Sequence, residues 1–254
     1  MKLPVTLRPP AKMVWDDRLP DTDKAKIEEI NASLDRLDGM RAVEINVAGP
    51  FMRSKIAWKL VTYQHALLHR VIALMDGVAV SWNARSTLAA VLAARAFMET
   101  FAVMDALERR VGDLLTCEDR GGLDDLAQNG IFASRDEEWL AEYPETKAVN
   151  ALTFIDRFNK QVEGFRGHYD RLSERCHPNS AGHNFMFSKL DRTTGSVTYF
   201  EEREPERNGD LIMGAVLLLP LVGSMMPRLD ALILKVSDLH HRVSSVGGIE
   251  ETDS

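Results

Sequence analysis

The chain has 254 residues, a formal net charge of −7 and a hydrophobic fraction of 45%. These values predict a globular protein with a buried core and exclude a disordered or fibrous chain. The acidic balance argues against broad, charge-driven binding to nucleic acid or anionic membrane, although it is compatible with a small basic cleft. The two cysteines, Cys117 and Cys176, are far apart, which favours a reducing compartment such as the cytoplasm over a disulfide framework.

The pattern of prolines and apolar residues divides the chain into three parts. Residues 1–20 contain four prolines and no helical period, so they predict an extended N-terminal arm that Trp15 could pin to the body. Residues 21–245 are predicted to form a single helical domain. Residues 246–254 are predicted to form a disordered acidic tail.

Apolar spacing predicts an all-α bundle of five or six helices. In chain order the main helices cover residues 21–39, 50–75, 86–115, 146–175 and 210–243, with shorter ones near 123–128 and 135–143. Pro50 suits the first turn of the second helix, Asp76-Gly77 is expected to end or kink it, and Gly164 is a candidate kink in the helix over 146–175. Alternating residues around Asp191-Arg-Thr-Thr-Gly195 predict a small β-hairpin over 185–200.

The last helix contains an uncharged stretch over residues 211–226. This stretch is shorter than the roughly 20 apolar residues that span a bilayer. It also contains Pro220 and two glycines. A buried helix or a subunit interface is therefore predicted instead of a membrane span, with a homodimer formed through the long apolar helices.

The most site-like segment is Tyr169-Asp-Arg-Leu-Ser-Glu-Arg-Cys-His177-Pro-Asn. Pro178 predicts that the helix ends near His177, where the negative end of the helix dipole favours a protonated imidazole. Arg171 and Arg175 could then hold a phosphate while His177 moves a proton. In the structural alternative, His177 only caps the helix and the arginines pair with Asp170 and Glu174 or lie in solvent.

The spacing of Arg171 and His177, with five residues between them, resembles the signature of the HEPN superfamily. The segment is also similar to that of a group of bacterial helical proteins with a Leu-Ser-x-x-x-His-Pro sequence. The resemblance implies a metal-independent endoribonuclease without a cofactor, acting on RNA as a homodimer in a bacterial defence or toxin–antitoxin setting. It implies that Arg171 and His177 are catalytic. Residues implied to support them are Arg175, Ser173 and Asn179.

The segment departs from the superfamily pattern at Leu172, where the strongest versions have a polar residue. Leu172 instead belongs to the buried stripe that also contains Tyr169 and Cys176. On a helical wheel Arg171 and His177 lie about 120° apart. A chain break at Pro178 or a second subunit is needed to bring their functions together. A non-catalytic protein for interaction or oligomerisation is therefore the alternative function.

Two further pairs have the spacing of one helical turn. Arg95 and Glu99 lie in a largely apolar helix, either as an ordinary ion pair or as a buried pair that orients His177 or Tyr169. His65 and His69 could bind a divalent metal if a third ligand approached, which makes a metal-binding bundle the third and weakest hypothesis. A polar or interface face is the preferred interpretation of the two histidines.

Overall fold

The structure, a computed structural model, describes residues 7–47, 51 and 54–246, with side chains as far as residue 239. Pro50 and residues 247–254 of the predicted tail lie outside the described residues. The predicted fold class is confirmed, because the chain is an all-α bundle with one two-stranded hairpin inserted late in the sequence.

The helices and strands follow one another in a simple order. They are α1 Lys24–Gly39, α2 Lys55–Asn83, α3 Thr87–Thr116, α4 Arg120–Phe132, α5 Glu137–Glu142, α6 Ala151–Asn159, α7 Phe165–Cys176, α8 Asn184–Phe187, β1 Ser188–Leu190, β2 Val197–Tyr199, α9 Pro205–Val216 and α10 Leu219–Val246. Short 3-10 turns, Asp21–Asp23 and Pro144–Thr146, precede α1 and follow α5.

Helix α3 occupies the centre of the bundle and lies against α2, α6, α7, α9 and α10. Its fully buried residues include Phe97 and Phe101, which belong to the main cluster of buried apolar side chains. Because α3 meets so many elements, it buries residues around much of its circumference. Leu92 is nevertheless 47% exposed.

Helix α2 continues past the position where the sequence suggested an end or a kink. Ser54 caps its first turn by accepting a hydrogen bond from the backbone N–H of Ala57, and the helix runs through Asp76-Gly77 to Asn83. A Cβ atom at Gly77 would lie 3.7 Å from the Cβ of Ala93 on α3, so the glycine lies at the contact between the two helices. Burial of Trp82 in the last turn explains why packing outweighs the helix-breaking tendency of the glycine.

Two predicted long helices are each divided in two. The helix expected over residues 146–175 consists of α6 and α7, separated by a turn in which Gly164 adopts a left-handed φ of 89°. The helix expected over residues 210–243 consists of α9 and α10, which begins immediately before Pro220. After the first break, α6 and α7 both pack against α3. After the second, α9 packs against α3 and α7, and α10 packs against α1, α2 and α3.

The predicted hairpin is present but shorter than expected. Its strands pair antiparallel, with Leu190 opposite Val197, and Gly195 adopts a left-handed φ of 70° in the turn. Phe185 was predicted to begin the first strand but lies in the short helix α8. Tyr199, at the end of the second strand, is 78% exposed.

The N-terminal arm is irregular from Leu7 to Pro20 and lies against the bundle. Met13 is buried, and the indole N–H of Trp82 donates a 2.8 Å hydrogen bond to the carbonyl oxygen of Val14. Arg18 is buried over the ring of Trp82, 3.6 Å from its centroid. Trp15 packs only partly against the core, so Trp82 contributes more to holding the arm than the residue predicted to do so.

Two helical stretches of the described chain, Thr87–Thr116 and Pro205–Leu239, are long and apolar enough to cross a membrane. In each of them 56% of the most apolar window is buried inside the bundle, as in the core helices of a soluble protein.

Candidate functional site

The segment predicted to carry chemistry lies at the end of α7 and in the loop that follows. The helix ends at Cys176, and His177 has extended backbone angles of −86° and 146°, in agreement with the effect expected of Pro178. The side chain of His177 is exposed. The histidine therefore lies in solvent beyond the helix and not against the core.

Asn179 organises the loop after His177. Its backbone N–H donates to the carbonyl oxygen of His177 at 2.8 Å, and its side-chain oxygen accepts from the backbone N–H groups of Ala181 and Gly182 at 2.9 and 3.0 Å. Its amide also donates to Glu174 at 2.8 Å. These contacts make Asn179 a turn-forming residue that fixes the backbone beside His177.

Arg171 and His177 are not brought together within one chain. A guanidinium nitrogen of Arg171 lies 3.3 Å from Nδ1 of His168, and among the described residues no hydrogen bond or ion pair joins Arg171 to His177. The helix ends before the chain could return to the same face, which is the separation that the helical wheel predicted. Ser173 is half-buried on the same helix, and it too makes no side-chain hydrogen bond to another described residue.

His168 links α7 to α9. Its Nε2 lies 2.9 Å from the carbonyl oxygen of Leu211. Because a carbonyl oxygen only accepts hydrogen bonds, Nε2 is the donor and Nδ1 is left to accept from Arg171. Burial, assisted by the charge of Arg171, lowers the pKa of His168. His168 thus joins Arg171 of α7 to the carbonyl oxygen of Leu211 on α9.

Arg175 is a half-buried cation with neutral hydrogen-bond partners. Its Nε donates to the side-chain oxygen of Asn208 at 2.9 Å, and a terminal nitrogen donates to the carbonyl oxygen of Arg171 at 3.1 Å. Burial lowers the pKa of Arg175, and the positive charges of Arg207 and Arg171 lower it further. The negative charge of Glu204 acts in the opposite direction and raises it. No carboxylate within the described chain forms an ion pair with Arg175.

Three arginines from two helices therefore form one surface, which we call the arginine surface: Arg171 and Arg175 on α7 and Arg207 on α9. Arg207 is 67% exposed, and it pairs with Glu204 at 3.1 Å. Arg171 and Arg207 both act on the pKa of Arg175, so the three positive charges lie close together although the whole chain is acidic. Such a surface suits an anion with several oxygen atoms, such as phosphate.

Arg95 and Glu99 meet Tyr169 across the contact between α3 and α7. The hydroxyl of Tyr169 donates to Glu99 at 2.7 Å and accepts from Arg95 at 3.0 Å, while Arg95 and Glu99 lie 3.2 Å apart. Burial and the hydrogen bond to Glu99 raise the pKa of the tyrosine. The three side chains hold α7 against α3, and Cys176 lies beside Arg95 with a thiol pKa that burial raises.

The histidine pair of α2 contacts a loop. Nε2 of His69 lies 3.0 Å from the carbonyl oxygen of Ala42, and Nδ1 of His65 lies 3.4 Å from the nitrogen of the same residue. Burial lowers the pKa of His65. Over the described ranges there is no group of three His, Cys, Asp or Glu residues that could hold a metal ion. The pair holds the loop that follows α1.

The sequence did not predict His168, Arg207 and Asn208 as residues of the site. His168 stands one turn before Leu172 in the same helix, and its position between core residues was a weak signal of a role in packing. Arg207 and Asn208 carried no signal, because only the contact between α7 and α9 places them beside Arg175. No family model, curated protein or solved structure matches this chain.

Proposed function

We propose that this chain is a HEPN-like protein of the cytoplasm that binds RNA through the arginine surface and cleaves it without a metal ion. The observation that carries the proposal is Arg175, a half-buried guanidinium with neutral acceptors, between Arg171 and Arg207. A cation removed from water without a carboxylate is costly, and a bound phosphate would offset that cost. Successive phosphates of an RNA strand would satisfy several arginines at once.

In this proposal the attacking group is the ribose 2′-hydroxyl, and His177 is the general acid and base. Arg171 neutralises the phosphate, while Arg175, Ser173 and Asn179 support the two. Because Arg171 contacts His168 and not His177, we propose that a homodimer completes the site, with one chain supplying the histidine and the other the arginine. The group Arg95, Glu99 and Tyr169 would fix α7 in the position that the dimer requires.

Binding is tested with a fluorescein-labelled single-stranded RNA and variants of single arginines. Arg171→Gln and Arg207→Gln are each expected to weaken binding several-fold at low salt and to reduce the slope of log K against log salt by about 0.7. The control is Arg166→Gln on α7, because Arg166 pairs with two carboxylates, Asp156 at 2.5 Å and Asp170 at 2.8 Å. Arg207, by contrast, shares the single carboxylate of Glu204 with Arg203. Equal RNA binding by wild type, both variants and the control would refute the proposed RNA surface.

Cleavage is tested separately by incubating mixed RNA with the purified protein in EDTA. We expect cleavage by the wild type and its loss in His177→Ala and Arg171→Ala. Mixing the two inactive variants is expected to restore part of the activity, because a mixed dimer contains one intact pair. Binding without cleavage by the wild type would leave the RNA surface in place and reject the catalytic role of His177.

The second candidate is a non-catalytic interaction protein, and the hairpin is the observation that favours it. Leu190, Val197 and Tyr199 lie on one face of the hairpin and are each about half exposed or more, at 56%, 48% and 78%. An apolar face of this kind is typical of a contact surface. Absence of RNA binding by the wild type, together with self-association that Leu190→Ser abolishes in sedimentation experiments, would favour this candidate.

A further inference from the structure

Three aromatic rings lie in a row on the surface between α4 and α6, far along the chain from the arginine surface. Trp139 is in the middle, 6.4 Å from Phe132 with ring planes 20° apart and 4.6 Å from Tyr143 with planes 34° apart. The three residues are 41%, 38% and 37% exposed in the order Phe132, Trp139 and Tyr143. We call this row the aromatic platform.

The platform is held in place by hydrogen bonds in the chain around it. The indole N–H of Trp139 donates to the hydroxyl of the buried Thr146 at 2.8 Å, and that hydroxyl donates to the carbonyl oxygen of Tyr143 at 2.8 Å. Asp136 caps α5 by accepting from the backbone N–H of Trp139 at 2.9 Å. Ser134 joins the two ends of the segment through backbone hydrogen bonds to Thr146 and Ala148. A ligand would therefore meet rings that are already ordered, which lowers the entropy cost of binding.

The charges around the platform select the class of ligand. Residues 132–148 contain five carboxylates and two cations. Asp136 acts as a helix cap and Glu142 accepts a 2.7 Å hydrogen bond from the hydroxyl of Tyr143. Glu137, Glu138 and Glu145 form no ion pair with any other described residue. Aromatic faces beside uncompensated carboxylates attract arginine and lysine side chains and repel phosphates.

We propose that the aromatic platform binds a short, extended, arginine- or lysine-rich segment of another protein. The cationic side chains would lie over the outer faces of Phe132 and Tyr143, because Trp139 is stacked between these two rings. The carboxylates of Glu137 and Glu138 would pair with the cations. This site is independent of the RNA surface, since the two have opposite charge and lie on different helices.

The test uses a fluorescein-labelled eight-residue peptide with four arginines separated by prolines, and fluorescence anisotropy. The wild type is expected to bind it, and a peptide with glutamates in place of the arginines is expected not to bind. Trp139→Ala is expected to weaken binding about tenfold, because it removes the ring that orders Phe132 and Tyr143 for cation–π contacts. Because Trp139→Ala could also disturb the segment, the double variant Glu137→Gln with Glu138→Gln, which retains every hydrogen bond described above, is expected to weaken binding several-fold and to reduce its dependence on salt.

The matched controls separate specific binding from general attraction by an acidic protein. Glu28→Gln with Glu29→Gln removes two exposed carboxylates from α1, and Tyr199→Ala removes an exposed ring from the hairpin. Both controls are expected to bind the arginine peptide as the wild type does. Equal weakening by the two glutamate pairs, or unchanged binding in Trp139→Ala, would overturn the proposal. Loss of RNA binding in Trp139→Ala, with no effect on the peptide, would assign the platform to nucleic acid instead.

Discussion

A histidine and a glycine facing each other set the distance between α7 and α9. The ring of His168 reaches the carbonyl oxygen of Leu211, and a Cβ atom added at Gly214 would lie 2.4 Å from Cε1 of that ring. No side chain larger than hydrogen fits at residue 214 unless the imidazole or the helix moves. The same contact places Asn208 and Arg207 beside Arg175, so it also shapes the arginine surface.

Gly214→Ala is expected to lower the free energy of unfolding by about 1–3 kcal/mol, because overpacking forces the ring or the helix to shift. Urea denaturation would measure the loss. Gly223→Ala in α10 is the control, since a Cβ atom there would meet nothing within 4 Å. It is expected to be neutral or to stabilise the protein by up to about 1 kcal/mol, because alanine favours helix. Equal effects of the two substitutions would contradict the steric explanation.

At the scale of elements, the break between α6 and α7 permits both helices to contribute to one aromatic cluster. The rings of Phe158 and Phe165 lie 4.6 Å apart, and Phe101 of α3 lies 5.0 Å from Phe158. Gly164 makes the turn between the helices through its left-handed φ of 89°. A continuous helix would place the two rings on one face but about 10.5 Å apart along its axis, too far for their edge-to-face contact.

Gly164→Ala is therefore expected to lower the free energy of unfolding by about 1–2 kcal/mol, the cost of a left-handed conformation for an L-residue with a side chain. Gly164→Asn should cost less, since asparagine tolerates this region better. Gly167→Ala, inside α7, is the matched control and is expected to be neutral or slightly stabilising because its nearest neighbour is an ordinary 3.8 Å contact. Thermal and urea unfolding would measure the stability of the three variants. A Gly164→Ala variant as stable as Gly167→Ala would contradict the explanation.

At the scale of the whole molecule, the N-terminal arm is part of the folded structure. Arg18 is only 2% exposed, and its guanidinium bonds Asp16 and the carbonyl oxygen of Trp82 while lying over the Trp82 ring. A Cβ atom added at Gly209 of α9 would lie 2.9 Å from the carbonyl oxygen of Arg18, so the arm passes close to this helix. The arm thereby connects the end of α2 to the start of α9.

Trp82→Phe is expected to lower the free energy of unfolding by about 1–3 kcal/mol, because it leaves the carbonyl oxygen of Val14 without its donor and weakens the cation–π contact. Hydrogen exchange should show faster exchange in residues 13–19. Trp15→Phe removes a longer, exposed hydrogen bond of 3.2 Å and is expected to cost less than about 1 kcal/mol. Unchanged exchange in the Trp82 variant would mean that the arm is held by other contacts.

Local sequence patterns were sufficient to predict the fold class, the first and third main helices, the end of α7 near His177 and the existence of the hairpin. These features depend on local properties: side-chain spacing, the conformational restriction before proline and the composition of turns. Local spacing also singled out Arg95, Glu99 and Tyr169, but only the structure places the three in one hydrogen-bonded group.

The sequence alone therefore predicted Arg171 and the segment around it. Tertiary structure determined the surface to which Arg171 belongs. Arg207 is remote from Arg175 along the chain, and only the packing of α9 against α7 brings their charges together. Tertiary structure likewise left His177 in solvent, apart from Arg171. The physical reason is that helical periodicity determines which face of a helix is buried, while steric fit between faces determines which helices become neighbours.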